Sequence, residues 1–178
     1  MILKDNISLI GFMGSGKTTI GEILAKRTGY LFIDLDRIIE LSEYKTINEI
    51  FRTSGEDYFR EIESKVIKKV YLNNKCVFAC GGGVILKGEN MSMIRKNSKV
   101  VYLEISPREA LNRLMKTSDR PLLKSDNRSK KITGLMDKRS SLYKKYSDII
   151  IQNEGNSAEH TADDILKKLQ DHARGIDI

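Results

Sequence analysis

The sequence predicts an α/β fold: a three-layer sandwich in which a five-stranded parallel sheet is covered by helices on both faces. Three observations predict it. Five short apolar runs show no clear polar alternation, the mark of strands buried on both sides. Helical patterns separate the runs. Three of the runs end in glycine-rich or acidic segments, and ligands bind beyond the carboxyl ends of parallel strands. The 178 residues, 40% hydrophobic and 31% charged, suit one soluble domain, and we read 1–178 as a single unit.

The elements follow in order. "NISLIG" at 6–11 is a strand running into a glycine loop. "TIGEILAKRTG" then spaces Ile20, Ile23, Leu24 and Arg27 for a helix, with Gly29 as its stop signal. "LFID" at 31–34 is the second strand, ending in acid. Thr46 and Glu49 have the spacing of a capping box ahead of a helix, and Phe59, Ile62, Val66 and Val70 form one apolar stripe. "CVFAC" at 76–80 is the third strand and leads into Gly81, Gly82 and Gly83. "KVVYLEI" is the fourth, followed by a helix with Ser106 as cap, Pro107 in the first turn and Glu109 expected to reach back. "DIIIQ" at 148–152 is the fifth, and the last helix starts near "NSAE", with Ala162, Ile165, Leu166 and Leu169 facing inward.

The first loop carries the chemistry. Gly11, Gly16, Lys17 and Thr18 fit G-x-x-x-x-G-K-[ST], placed between a strand and a helix. Gly14 and Gly16 let backbone N–H groups curl around an anion, and the helix start adds partial positive charge. Lys17 has the reach for β- and γ-phosphates, and the Thr18 hydroxyl suits Mg²⁺. Gly14, Ser15, Gly16, Lys17, Thr18 and Thr19 are therefore the expected nucleotide-binding residues. "DLD" adds Asp34 and Asp36, which in an extended segment would point the same way, one toward metal and one toward an acceptor hydroxyl. The third strand ends without an acid, so Asp34 is the metal-side candidate, acting through a water. Arg120, in the polar stretch "TSDRPLL", suits a lid that closes over phosphates.

Together "GFMGSGKTTIG", "FIDLDRIIE", "IFRTSGEDYFREIE", "CGGGVIL", "RPLL" and "KRSSLY" resemble the shikimate kinase family, a nucleoside-monophosphate-kinase-like group of P-loop proteins, over residues 5–170. The first segment is widely shared; "FREIE", "GGG" and "RPLL" at these separations are specific. The resemblance implies transfer of the ATP γ-phosphate to the 3-hydroxyl of shikimate, on the route to chorismate and aromatic amino acids, with Mg²⁺ present. It implies Lys17, Asp36 and Arg120 as catalytic residues, and Thr18 and Asp34 as the metal side. Asp36, Arg60, Gly82 and Arg139 would bind shikimate, the two arginines gripping its carboxylate with planar forks. Arg113 and Arg120 would contact ATP, Arg113 along the adenine. Substrate-binding helices are expected at about 34–62 and the lid at about 113–129. Ala79 departs from members with Ser at that position, and "QNEGNS" at 152–157 matches poorly where the adenine should pass.

Other classes fit less well. A gluconate kinase would not require the glycine triplet joined to this arginine pair, and a nucleoside-monophosphate kinase should show base-reading polar groups. A P-loop switch coupled to nucleic acid is disfavoured, because the +7 net charge is scattered rather than clustered with aromatics. No segment reaches the ~20 apolar residues of a membrane helix. The first residues lack a signal-peptide layout. Cys76 and Cys80, four apart on a strand and so roughly 13 Å apart, cannot pair with each other. We expect a cytoplasmic monomer acting on a small molecule, with no nucleic-acid or membrane partner.

Overall fold

The computed structural model describes residues 6–116 and 128–175, the side chains of residues 116 and 128 excepted. Five strands, β1 (Asn6–Ile10), β2 (Leu31–Asp34), β3 (Cys76–Ala79), β4 (Lys99–Glu104) and β5 (Ile149–Gln152), form one sheet in the order β2-β3-β1-β4-β5. All pairings are parallel. Their carboxyl ends align: Asp34 lies opposite Ala79, Ala79 opposite Leu9, Ile10 opposite Tyr102, and Glu104 opposite Gln152.

Among the described residues seven α-helices complete the sandwich: α1 (Lys17–Thr28), α2 (Leu35–Glu43), α3 (Ile47–Val70), α4 (Gly88–Asn97), α5 (Pro107–Lys116), α6 (Arg128–Tyr146) and α7 (Ala158–Ala173). Period-two alternation along the strands divides the core. Leu9, Val77, Val101 and Leu103 pack with α1 and α7 through Ile20, Leu24, Ile165 and Leu169. Ile10, Phe78, Val100 and Tyr102 pack with α2, α3, α4 and α6 through Ile39, Phe59, Ile67, Ile94 and Tyr143. The three inner strands β1, β3 and β4 are buried almost throughout, while β2 and β5 at the edges are partly exposed; a fully buried side chain of this size contributes about 1.5–3 kcal/mol. A smaller cluster of Phe12, Ile105, Ala110, Leu114, Ile132 and Met136 ties α5 and α6 to the loop after β1.

Local signals explain the boundaries. Gly29 caps α1 in the left-handed region at φ 72°. The Thr46/Glu49 capping box is formed in both directions. α3 is broken at Gly55, whose φ of 84° redirects the segment bearing Arg60. The reciprocal cap expected at α5 is only half present. Ser106 Oγ accepts from the Glu109 N–H at 3.2 Å, but Glu109 turns to Arg113 at 2.6 Å, and the Ser106 N–H donates to Glu154 instead. A charged partner one helical turn ahead outcompetes a backbone amide already served from the loop after β5. Cys76 and Cys80 are buried free thiols.

Candidate active site

The aligned carboxyl ends open into a cleft of about 640 Å³ lined by Gly14, Gly16, Lys17, Thr18, Thr19, Asp34, Asp36, Gly82 and Arg113. The loop after β1 is a concave cradle. Gly14 and Gly16 sit at φ 80° and 87°, a region glycine enters without steric cost, and Gly16 caps the start of α1. Buried Ser15 lies beneath it. Lys17 Nζ folds back on the loop, donating to the carbonyls of Gly11 and Phe12 at 2.9 Å each. It thus holds the loop closed on itself, and a stronger anionic acceptor in the cleft would draw it outward.

Asp34 and Asp36 both face this cleft, but not through an extended segment. α2 begins at Leu35, so Asp36 is in its first turn and Asp34 is its cap. Asp34 Oδ1 accepts from the N–H groups of Asp36 and Arg37 at 3.1 and 3.3 Å, while Oδ2 accepts from Thr18 Oγ1 at 2.8 Å. One carboxylate therefore serves a helix end and the phosphate loop together. The Thr18 hydroxyl and the Asp34 carboxylate form a hard-oxygen pair beside the cradle, chemistry that fits Mg²⁺. Among the described residues no cluster of three or more His, Cys, Asp or Glu could cage a metal, so most of the coordination would come from phosphate and water.

The glycine triplet joins the cleft to the two arginines. A Cβ on Gly81 would lie 2.7 Å from Asp36 Oδ1 and 3.1 Å from Glu63 Oε1. One on Gly82 would touch Gly11 O and Met13 N at 3.5 Å, which puts the triplet against the phosphate loop. One on Gly83 would collide with the Arg60 guanidinium. The Gly82 carbonyl accepts from Tyr143 Oη at 2.5 Å and from Arg139 Nη1 at 3.4 Å. Arg60 and Arg139 thus come to consecutive residues of one turn, on the same side of the molecule as the cradle.

The arginines are held differently. Arg60 pairs with Glu63 at 2.8 Å and Glu56 at 3.1 Å. Burial opposes its charge, but Glu63 and Glu56 outweigh that and raise its pKa above the ordinary arginine value. Glu63 is 1% exposed; burial raises its pKa, against the pull of Arg60, and its Oε1 has no hydrogen-bond partner among the described residues. Among the described residues no carboxylate is ion-paired with Arg139. Burial pushes the Tyr143 phenol well above its usual range, so it stays a neutral donor.

At the opposite end Arg113 lines the cleft, bound to Glu109 at 2.6 Å, Gly14 O at 3.4 Å and Asn153 O at 2.8 Å. Asn153 and Asn156, from the stretch that matched poorly, and Ala158 just after it line the same cleft. Arg120 and residues 117–127 of the expected lid lie outside the described residues. Sequence reasoning passed over Glu63, Tyr143 and Asn153. Glu63 and Tyr143 carried a signal, since they stand three and four places beyond Arg60 and Arg139 on shared helix faces.

This sheet and cradle define a P-loop fold of the nucleoside-monophosphate-kinase-like class. Deoxyadenosine kinase from M. mycoides has the same fold, with a TM-score of 0.63 at 15% identity. Similarity is far greater elsewhere. Residues 13–170 match the family model described as Shikimate kinase. A shikimate kinase from Thermodesulfovibrio yellowstonii is 41% identical over 96% of this chain and 98% of its own length; one from Dehalococcoides mccartyi is 38% identical over 96% of each. The structure of shikimate kinase from Acinetobacter baumannii in complex with shikimate superposes with a TM-score of 0.90 at 34% identity, covering 94% of both chains. The chain belongs to the shikimate kinase family.

Proposed function

We infer that the protein catalyses ATP-dependent phosphorylation of the 3-hydroxyl of shikimate, yielding shikimate 3-phosphate and ADP. One observation carries this reading: Gly81–Gly83 touches the phosphate loop on one side and both arginines on the other. A nucleotide and a small carboxylic acid bound in these two places would face each other across Asp36.

Each residue then takes a role. Backbone N–H groups of Gly14–Thr18, with the Lys17 ammonium drawn out to the phosphates, hold the triphosphate. Thr18 and Asp34 would hold Mg²⁺, which when bound neutralises charge on the β- and γ-phosphates. Arg60 and Arg139 grip the shikimate carboxylate while the Gly82 backbone borders the ring, and Glu63 and Glu56 steady the Arg60 fork. Asp36 orients the 3-hydroxyl. As that oxygen bonds to the γ-phosphorus, the bond to the β,γ-bridging oxygen breaks, ADP leaves, and the hydroxyl proton passes to Asp36. Positioning and electrostatics carry most of the acceleration. Arg113 and the wall at Asn153–Ala158 flank the adenine, and Arg120 is assigned to the lid at about 113–129, arriving over the phosphates.

No helix among the described residues is long and apolar enough to cross a membrane. We place the enzyme in the cytoplasm as a monomer with no nucleic-acid partner. A coupled ADP-release assay across acceptors tests the assignment. ADP should form with shikimate and not with gluconate or nucleoside monophosphates, with shikimate 3-phosphate as product. Faster turnover of either alternative would overturn it.

A further inference from the structure

The phosphate cradle is held by a residue 138 positions beyond Ser15. Asn153 follows β5, is 2% exposed, and engages four elements. Its backbone N–H donates to Glu104 O at the end of β4, at 2.8 Å. Its backbone carbonyl accepts from Arg113 Nη2 of α5, at 2.8 Å. Its side-chain Nδ2 donates to Ser15 O of the phosphate loop at 2.7 Å, and its Oδ1 accepts from Thr161 Oγ1 of α7 at 2.8 Å.

The bond to Ser15 has a directional consequence. In a trans peptide the C=O and the next N–H point in opposite directions. Holding the Ser15 carbonyl toward Asn153 turns the Gly16 N–H away from Asn153, toward the concave side of the loop. Gly16 is the residue most in need of such a restraint, because at φ 87° glycine has many alternatives. Only a donor satisfies the Ser15 carbonyl. A flipped amide would set two acceptors against each other, so the Ser15 contact also fixes which way the Asn153 amide lies. Arg113, reaching Gly14 O at 3.4 Å while bound to Asn153 O, holds the neighbouring loop carbonyl from the same place.

We propose that Asn153 is a positioning residue of the phosphate cradle: its buried amide holds the Ser15 carbonyl outward so that the Gly16 N–H faces the triphosphate, and its own carbonyl ties Arg113 to the same frame. This rests on the kinase reading for the identity of the anion. Asn153→Asp is the sharpest change, since it keeps size and shape but sets a carboxylate oxygen against the Ser15 carbonyl. Asn153→Ala removes the donor without adding charge. Binding of ATP and of inorganic tripolyphosphate, which has phosphates and no base, is measured by titration calorimetry, alongside the KM for shikimate.

The Asp variant should weaken tripolyphosphate about tenfold or more and ATP by at least the same factor, and the Ala variant should weaken both by less. The KM for shikimate should stay within about twofold in each. The proposal is overturned if tripolyphosphate binds normally to both variants, whether or not ATP weakens, because the effect would then lie at the base or nowhere. It is also overturned if shikimate KM rises in step with the ATP dissociation constant, which would mark a general loss of structure. A wild-type protein that binds both ligands but never phosphorylates shikimate would refute the acceptor assignment and leave the Asn153 test intact.

Discussion

The two halves of the cleft are built on opposite plans. The phosphate cradle is nine consecutive residues, 11–19, presenting backbone N–H groups at the mouth of α1. The half we assign to the acceptor draws single side chains from α2, α3 and α6 together with the glycine triplet, and Arg60 stays in place through ion pairs to Glu56 and Glu63. A backbone site depends on loop conformation and tolerates most side-chain changes. A composite site depends on each contributor separately, and on the partners that hold it. The difference predicts which substitutions affect rate, which affect acceptor affinity, and which affect stability as well.

The largest effect falls on the cradle. Lys17→Ala should lower kcat by about a hundredfold or more, since it removes the charge that the phosphates would draw out of the loop onto the transferring group. Shikimate should still bind the variant in calorimetry, because the acceptor residues are untouched. Loss of shikimate binding would mean that the halves are not separable.

Next comes the unequal pair of arginines. Arg60→Ala strands Glu63, 1% exposed, as a buried carboxylate without its partner, a change that costs about 3–5 kcal/mol in other buried pairs. Arg139→Ala strands no carboxylate among the described residues, leaving the Gly82 carbonyl to Tyr143. Thermal unfolding should therefore show a clear drop in Tm for Arg60→Ala and little change for Arg139→Ala. Equal drops would contradict the unequal anchoring.

Glu63 itself supplies a smaller, pH-dependent effect. Burial raises its folded pKa above the ordinary glutamate value of 4.5, so between the two values the folded state binds more protons than the unfolded state. Stability contributed by the protonated form is present below pH 4.5 and is lost as pH rises through the raised value. Glu63→Gln abolishes that loss. The Tm of the variant relative to wild type should climb as pH goes from about 4 to 7. A difference that is flat or falls with pH would contradict the assignment.

The smallest effect is chemical. Cys80 borders the cleft, yet burial pushes its thiol up to about 12, and burial also raises Cys76. Native protein at pH 8 should react far more slowly with iodoacetamide than unfolded protein, as followed by mass spectrometry.

The same contrast explains what was legible in the sequence. The five strands and the loop at 11–19 could be read because their signals are contiguous: an apolar run, then glycines, then Lys and Thr. Arg60 and Arg139 could not be told from solvated surface arginines by pattern, since their meeting depends on how α3 and α6 pack across the sheet. Only the resemblance to a family singled them out. Asp34 and Asp36 were found for a partly mistaken reason, because the acid that ends β2 also caps α2 and so ends the extended segment at once. Asn153 was hidden in a stretch that matched the family poorly, and its contacts span 138 residues to Ser15 and 40 to Arg113.

The most direct test of the joined cleft is calorimetric titration of shikimate, with a non-hydrolysable ATP analogue bound, into wild type, Arg60→Ala and Arg139→Ala. Each arginine variant should bind shikimate about 10- to 100-fold more weakly, the scale of a lost charge-assisted pair, with affinity for the analogue unchanged. Wild-type affinity for shikimate in both variants would contradict the account.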